Sequence, residues 1–366
     1  MSLPQRRTFH ELSIARVKPE AGGSLAVTFA IPAEWHALFA FQPGQFLTLK
    51  ADIDGQEIRR SYSICSSANR YADRNEIDIG IRSVPGGLFS PWAVSHFKPG
   101  DRLLVMPPDG RFVSQNPQAI HRVGFAAGSG ITPVLSIMAS TLEQQADARF
   151  TLVYGNRNMA SVMFNEALQD LKDRYTDRVT LIHVLSRQAQ EIELLQGRLD
   201  EDKVNRLLQS VFLSQTIDEV FVCGPADMID STTNALRLAG VPPAHIFSER
   251  FLAPDQSIRV PMADPQADLV GEEASVALTL VLDGKQHALR MSPEQKILDV
   301  GLAAGLDLPY SCRGGVCCTC RAKVMQGSVT MDKNFTLEEW ETKQGFVLSC
   351  QSKPTSNSVT LSFDER

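Results

Sequence analysis

The chain has 366 residues, 43% hydrophobic, 21% charged and 7% aromatic, a length that accommodates about two or three domains and a composition that excludes global disorder. Its 36 Lys and Arg against 42 Asp and Glu leave a net charge of −6, which supplies no electrostatic footprint for nucleic acid or an anionic membrane. No run reaches the ~18–20 apolar residues that span a bilayer and residues 1–20 lack an apolar signal core, so the expected compartment is the cytoplasm, with no nucleic acid and no membrane as partner.

Residues 1–115 read as short strands punctuated by turn chemistry. Phe46–Asp52 and Glu57–Ile64 flank Asp54-Gly55, a strong hairpin signal, and Glu76–Arg82 alternates apolar and polar residues with period two. The expected architecture is a small antiparallel β-barrel. Arg60 and Tyr62 share one face of a strand, and Gly86-Gly87-Leu88-Phe89-Ser90 opens a helix in a way that suits a pyrophosphate. Taken alone, the Arg60–Ser63 segment reads as an ordinary exposed strand.

Residues 116–251 alternate strand and helix: Val123–Ala127, a helix from Pro133, Phe150–Tyr154, a helix over Val162–Arg174, Val179–Leu185, a helix near Asp202–Leu208, and Glu219–Cys223. Such alternation builds a parallel sheet covered by helices, with ligands beyond the carboxyl ends of the strands. Gly128-Ser129-Gly130-Ile131-Thr132-Pro133 joins strand to helix, with Thr132 expected as N-cap and Pro133 at N1. The turn departs from Gly-x-Gly-x-x-Gly because Pro133 takes the last position, so by itself it is equally a structural tight turn. Cys223-Gly224-Pro225 ends the last strand, and Cys223 alone reads as a small buried apolar residue.

Residues 252–275, with three prolines and no sustained period, read as a linker. Beyond it Val276–Leu282, Asp283-Gly284 and Lys285–Arg290 form a hairpin, Ser292 to Gln295 reads as a capping box opening a helix, and Gly305 closes that helix. Residues 276–366 are expected to form a compact α+β domain. Cys312, Cys317 and Cys320 are spaced Cys-x4-Cys-x2-Cys, and Cys350 follows after 29 residues. That is the plant-type spacing for a [2Fe–2S] cluster held by four thiolates, with small residues Gly314, Gly315 and Thr319 letting amides approach the sulfurs. A half zinc site or a thiol redox pair at Cys317 and Cys320 is the alternative, and Cys318 offers a competing ligand one position along.

Together these segments resemble the ferredoxin-NADP reductase superfamily in the order flavin domain, nicotinamide domain, C-terminal ferredoxin of β-grasp type. The resemblance covers essentially the whole chain. It implies that Arg60, Ser61, Tyr62 and Ser63 bind FAD, with Arg60 on the pyrophosphate, Tyr62 on the isoalloxazine and Ser63 near N5. Gly87, Leu88, Phe89 and Ser90 are the implied companion segment, assisted by Arg82, with Glu249 and Phe251 ending beside the flavin. Gly128, Ser129, Gly130 and Thr132 are implied to take the nicotinamide nucleotide, Cys223, Gly224, Pro225 and Met228 to steer its nicotinamide, and Arg157, Ser186 and Arg187 to hold a 2′-phosphate, favouring NADPH over NADH. The strings RRSYSICSS, AAGSGITP, YGNR, FVCGPADM, LPYSCRGGVCCTC and VLSCQ resemble those of reductases serving multicomponent oxygenases, and the resemblance implies the di-iron oxygenase component of phenylacetyl-CoA epoxidase as electron acceptor. A steroid hydroxylase, an aromatic-ring dioxygenase or a redox-sensing role is the alternative. No general acid or base is implied, and the seven histidines are read as structural or surface groups.

Overall fold

The computed structural model describes residues 8–212, 216–251 and 275–365. Two compact units emerge, one of residues 9–58 and 62–251 with the α/β layer and most of the N-terminal sheet, the other of the C-terminal residues together with Arg59–Ser61. The expected linker lies outside the described residues except Ser275.

In the first unit, β1 (His10–Glu20), β2 (Ser24–Ala30), β3 (Phe46–Ile53), β4 (Gln56–Ser63), β5 (Glu76–Arg82) and β6 (Arg102–Val105) form one sheet in the order β4-β3-β6-β1-β2-β5. An antiparallel bridge between Ile64 and Ile79 joins the two edge strands, so the sheet closes on itself around Leu12, Val27, Phe29, Leu47, Ile77 and Ile79. Closure removes unpaired edges. Asp54 and Gly55 both take positive φ at the β3–β4 turn, as the Asp-Gly signal requires. Two helices decorate the barrel: α1 (Ala68–Arg74), capped by Ser67 Oγ accepting from Arg70 N–H, and α2 (Phe89–His96). The alternation pattern carried no sign of α1, a seven-residue helix.

The parallel sheet runs β11-β10-β7-β8-β9, built from β7 (His121–Ala127), β8 (Arg149–Asn156), β9 (Val179–Leu185), β10 (Glu219–Gly224) and β11 (Ile246–Arg250). Helices α3 (Ile131–Gln144), α4 (Asn165–Arg174), α5 (Glu201–Val211) and α6 (Ala226–Leu238) connect or cover these strands. Two expected helix starts shift, and one strand was not expected. Residues Gly128–Gly130 form a 3-10 turn and α3 starts at Ile131, so Gly130, not Thr132, is the N-cap, and the Thr132 hydroxyl donates to Ser129 O at 3.0 Å. Helix α4 begins at Asn165 because Phe164 takes φ +57°, its N–H donating to Glu20 at 2.9 Å. Strand β11 extends the sheet at its edge, where a five-residue segment after a Pro-containing turn carries little periodic signal.

Barrel and α/β layer meet through close approach of backbone. A Cβ at Gly80 of β5 would lie 2.5 Å from the Thr132 methyl and 3.0 Å from the Phe164 ring, so only glycine lets β5 pack there. Ser136 Oγ donates to Ser66 O at 2.7 Å within the same contact.

The second unit is a five-stranded mixed sheet, β13-β12-β18-β14-β16, with a two-stranded β15-β17 ribbon. Its strands are β12 (Val276–Leu282), β13 (Lys285–Met291), β14 (Arg321–Gln326), β15 (Val329–Met331), β16 (Phe346–Leu348), β17 (Ser352–Pro354) and β18 (Ser358–Ser362), and its helices α7 (Ile297–Ala303) and α8 (Glu339–Lys343). Parallel pairing of β12 with β18 and antiparallel pairing of β12 with β13 give a β-grasp arrangement. The Ser292 to Gln295 box closes a turn, with Gln295 Oε1 accepting from Ser292 N–H at 2.8 Å, and α7 begins only at Ile297. Gly305, with φ +79°, follows the helix end as expected.

Candidate functional site

Three clusters of site residues assemble. On β4, Arg60, Ser61 and Tyr62 are half-buried and Ser63 is buried; the Tyr62 ring sits 5.7 Å from the Phe89 ring, so its position is set by the barrel core. The 84–90 loop is internally bonded, Gly87 N–H to Val84 O at 2.9 Å and Val84 N–H to Ser90 Oγ at 3.1 Å. Ser90 Oγ accepts from the loop and keeps its own hydrogen, so that hydroxyl and the first-turn amides of α2 are donors available to an anion.

Ser63 Oγ donates to Glu249 Oε2 at 3.1 Å, and Glu249 on β11 lies in register with Cys223 on β10. Although Glu249 keeps some surface exposure, its carboxyl group is enclosed by protein, and this burial pushes it from the ordinary 4.5 up to about 8, partly opposed by the Ser63 bond. Burial, then the nearby Glu249, pushes the fully buried Cys223 thiol well up, which removes it as a thiolate nucleophile at neutral pH. Phe251, just beyond β11, is 39% exposed.

Around the Gly128 turn, packing dictates residue choice. A Cβ at Gly130 would meet the Cys223 carbonyl oxygen at 2.1 Å, and one at Gly224 would meet Met228 Sδ at 2.9 Å. Gly128 takes φ +55° and its carbonyl accepts from the buried Tyr154 hydroxyl at 2.8 Å. Arg82, expected to assist the flavin segment, reaches this turn: its Nη1 would lie 2.8 Å from a Cβ at Gly128. At the carboxyl ends of β8 and β9, Arg187 N–H donates to Arg157 O at 2.7 Å and Ser186 N–H to Asn156 O at 2.9 Å. Both arginine side chains are exposed and neither forms an ion pair among the described residues.

In the C-terminal unit the four thiols fall into two hydrogen-bonded pairs. The bond to Cys317 pulls Cys312 down to about 6, helped by the amides of Gly314, Val316 and Cys317, and Cys317 rises in turn. Cys350 is lowered chiefly by Cys320, with help from Gln351 and the Gly315 amide, while Cys320 rises. Gly314 N–H points at Cys312 Sγ from 3.3 Å. Two thiol pairs ringed by amide donors fit a cluster of two irons. Cys318 stands apart: with φ +56°, it directs its thiol to Thr336 Oγ1 at 2.8 Å.

Known proteins match the three regions that carry these clusters. Residues 22–113 match the oxidoreductase FAD-binding domain, residues 125–234 the oxidoreductase NAD-binding domain, and residues 280–355 the 2Fe-2S iron-sulfur cluster binding domain. The chain is 41% identical over 363 residues to a component of the 1,2-phenylacetyl-CoA epoxidase of Escherichia coli K12, covering 98% of this chain and 99% of that one. This chain belongs to the ferredoxin-NADP reductase superfamily. The reductase is also 35% identical to the ferredoxin reductase component of 3-ketosteroid-9-alpha-monooxygenase from Mycobacterium tuberculosis, covering 97% of this chain and 96% of its relative. Its fold matches phthalate dioxygenase reductase with TM-score 0.60 and 22% identity, across 99% of this chain and 100% of the other. It is an electron-transfer oxidoreductase of the kind that serves oxygenase systems, with FAD-binding, NAD-binding and iron–sulfur domains.

The sequence missed the joining of Ser63 to Glu249 as a pair and the reach of Arg82 to Gly128. No local signal announces either, because each depends on a contact across the barrel and the α/β layer.

Proposed function

We propose that this reductase passes electrons from NADPH, through FAD and a [2Fe–2S] cluster, to the di-iron oxygenase of a phenylacetyl-CoA epoxidase in phenylacetate degradation. The observation that carries this reading is the 41% identity to the Escherichia coli epoxidase component, maintained over 98% of the chain. When bound, the flavin supplies a hydride acceptor that can be emptied one electron at a time, and the cluster a one-electron site with a potential near about −400 mV.

The chain supplies position, charge and exclusion of water. Arg60 and the first turn of α2 present a cation and amide donors to a pyrophosphate, while Tyr62, fixed against Phe89, presents a ring face. Ser63 and Glu249 hold a proton at a buried carboxyl through neutral pH. Gly128 to Thr132 bring backbone amides to a second pyrophosphate with the Arg82 guanidinium alongside, and Cys223, Gly224, Pro225 and Met228 shape the floor beside them. Arg157 and Arg187, juxtaposed at the strand ends next to Ser186, offer two cations to a 2′-phosphate. Cys312, Cys317, Cys320 and Cys350 hold the irons.

The test is NADPH consumption coupled to phenylacetyl-CoA oxidation in the presence of a purified epoxidase oxygenase component, with cytochrome c reduction as the control. Coupled product formation supports both donor and partner. Cytochrome c reduction without product removes the named partner and turns attention to a ketosteroid oxygenase, the reading favoured by the 35% identity.

A further inference from the structure

Among the described residues near the thiols, Gln351 makes contacts that its position next to Cys350 does not demand. Its side chain is buried, 6% exposed. One Nε2 hydrogen goes to Arg313 O at 2.8 Å, and the other is shared between Cys350 O at 3.1 Å and Cys350 Sγ at 3.5 Å. The carbonyls accept only, so the amide must present its NH2 end here, whichever way it turns elsewhere. The Gln351 backbone carbonyl in turn accepts from Asp332 N–H at 3.0 Å and Lys296 Nζ at 3.1 Å. Its Cγ also lies 3.4 Å from where a Cβ on Gly315 would stand. One residue thus ties the last thiol to the loop carrying the first three, and to the segments at Asp332 and Lys296.

We infer that Gln351 is a positioning residue for the cluster: its amide holds the Cys350 sulfur against the 312–320 loop and, by donating to that sulfur, sets the cluster's reduction potential. The inference rests on the iron–sulfur reading of the four cysteines. Donors to cluster sulfur stabilise the reduced form, which carries more negative charge, and so raise the potential. A buried amide donor is worth on the order of 1 kcal/mol net.

The test is an EPR-monitored redox titration of the full-length protein loaded with its cluster. Gln351→Leu, similar in size and without a donor, is expected to shift the reduction equilibrium about fivefold toward the oxidised cluster, a tenfold shift being 59 mV for one electron. Gln351→Met, also without a donor, is expected to shift it in the same direction. An unchanged or raised potential in either variant overturns the inference. Should neither variant retain a cluster, pulsed EPR of the reduced wild-type protein labelled with amide-15N glutamine decides: a label-dependent nitrogen coupling is expected, and its absence overturns the inference. Absence of any iron–sulfur EPR signal from the wild-type protein sinks the cluster reading instead, so the two failures are distinguishable.

Discussion

The Gly128 turn and the Cys312–Cys320 loop both depend on small residues and on positive φ, yet they are held by different forces. At the turn, Gly130 packs directly on the Cys223 carbonyl and the Tyr154 hydroxyl grips Gly128 O, so its shape follows from the apolar core beneath it. In the cysteine loop, Arg313, Gly315 and Cys318 all take positive φ, and the anchoring partners are sulfurs, amides and the Gln351 side chain. Packing preorganises the first. The second leans on its thiols, and its backbone carries two non-glycine residues in a conformation that costs roughly 1–2 kcal/mol each.

Breaking the thiol set gives the largest expected effect. Cys312→Ala, Cys320→Ala or Cys350→Ala should abolish the visible absorbance of the cluster, whereas Cys318→Ala should leave it intact, its thiol being engaged with Thr336. Loss of the spectrum in Cys318→Ala with retention in Cys317→Ala would show the ligand set to be off by one. At the packed turn, Gly130→Ala drives a Cβ into a backbone oxygen that no rotamer change can move; overpacking costs about 1–3 kcal/mol, and the upper end is expected. Thermal unfolding should register the loss, and cytochrome c reduction by NADPH should fall while the cluster spectrum stays unchanged.

Replacing both Arg157 and Arg187 by Ala removes two charge-assisted partners, each worth about 1.5–3 kcal/mol. The preference for NADPH over NADH in kcat/KM should fall by roughly tenfold or more. A wild-type preference for NADH by more than about tenfold, or no change in the variant, contradicts the 2′-phosphate assignment.

Glu249 sharpens the comparison by titration. Its folded-state value of about 8 lies above the ordinary 4.5, so between these values the unfolded chain releases a proton that the folded chain retains. Stability from this group is therefore lost as pH rises from about 4.5 to 8 and is level above that. The melting temperature of Glu249→Gln should rise relative to wild type across that window and run parallel beyond it; a constant difference from pH 4.5 to 8 would exclude the shift. The smallest effect concerns salt. Residues 276–366 carry ten Lys and Arg and ten Asp and Glu, so coupled turnover should weaken only modestly between low and physiological ionic strength, and a steep fall would contradict docking without a dominant charged face.

Much of this was legible along the chain. The two Asp-Gly hairpins, the period-two strand at Glu76–Arg82 and the strand-helix alternation are local patterns, and each formed where such patterns place elements. Helix starts were less faithful: Thr132 and Ser292 both look like caps, but a 3-10 turn advances one helix and a bonded turn delays the other. Capping side chains signal that a helix is near, while its first residue depends on which backbone amides the surrounding fold already occupies.

Cysteine spacing, the glycine-rich turn and the order of the three regions were determined by sequence alone, because each expresses the reach of a short chain segment or the absence of a Cβ. Tertiary structure decided that β11 would join the sheet edge and carry Glu249 to Ser63, 186 residues away in the chain. It also decided that Arg82 would lie on Gly128 and that the Gln351 amide would bridge Cys350 to Arg313. These contacts join segments whose residues carry no local mark of one another; they form only when burial of two apolar faces brings their strands and loops within hydrogen-bonding range.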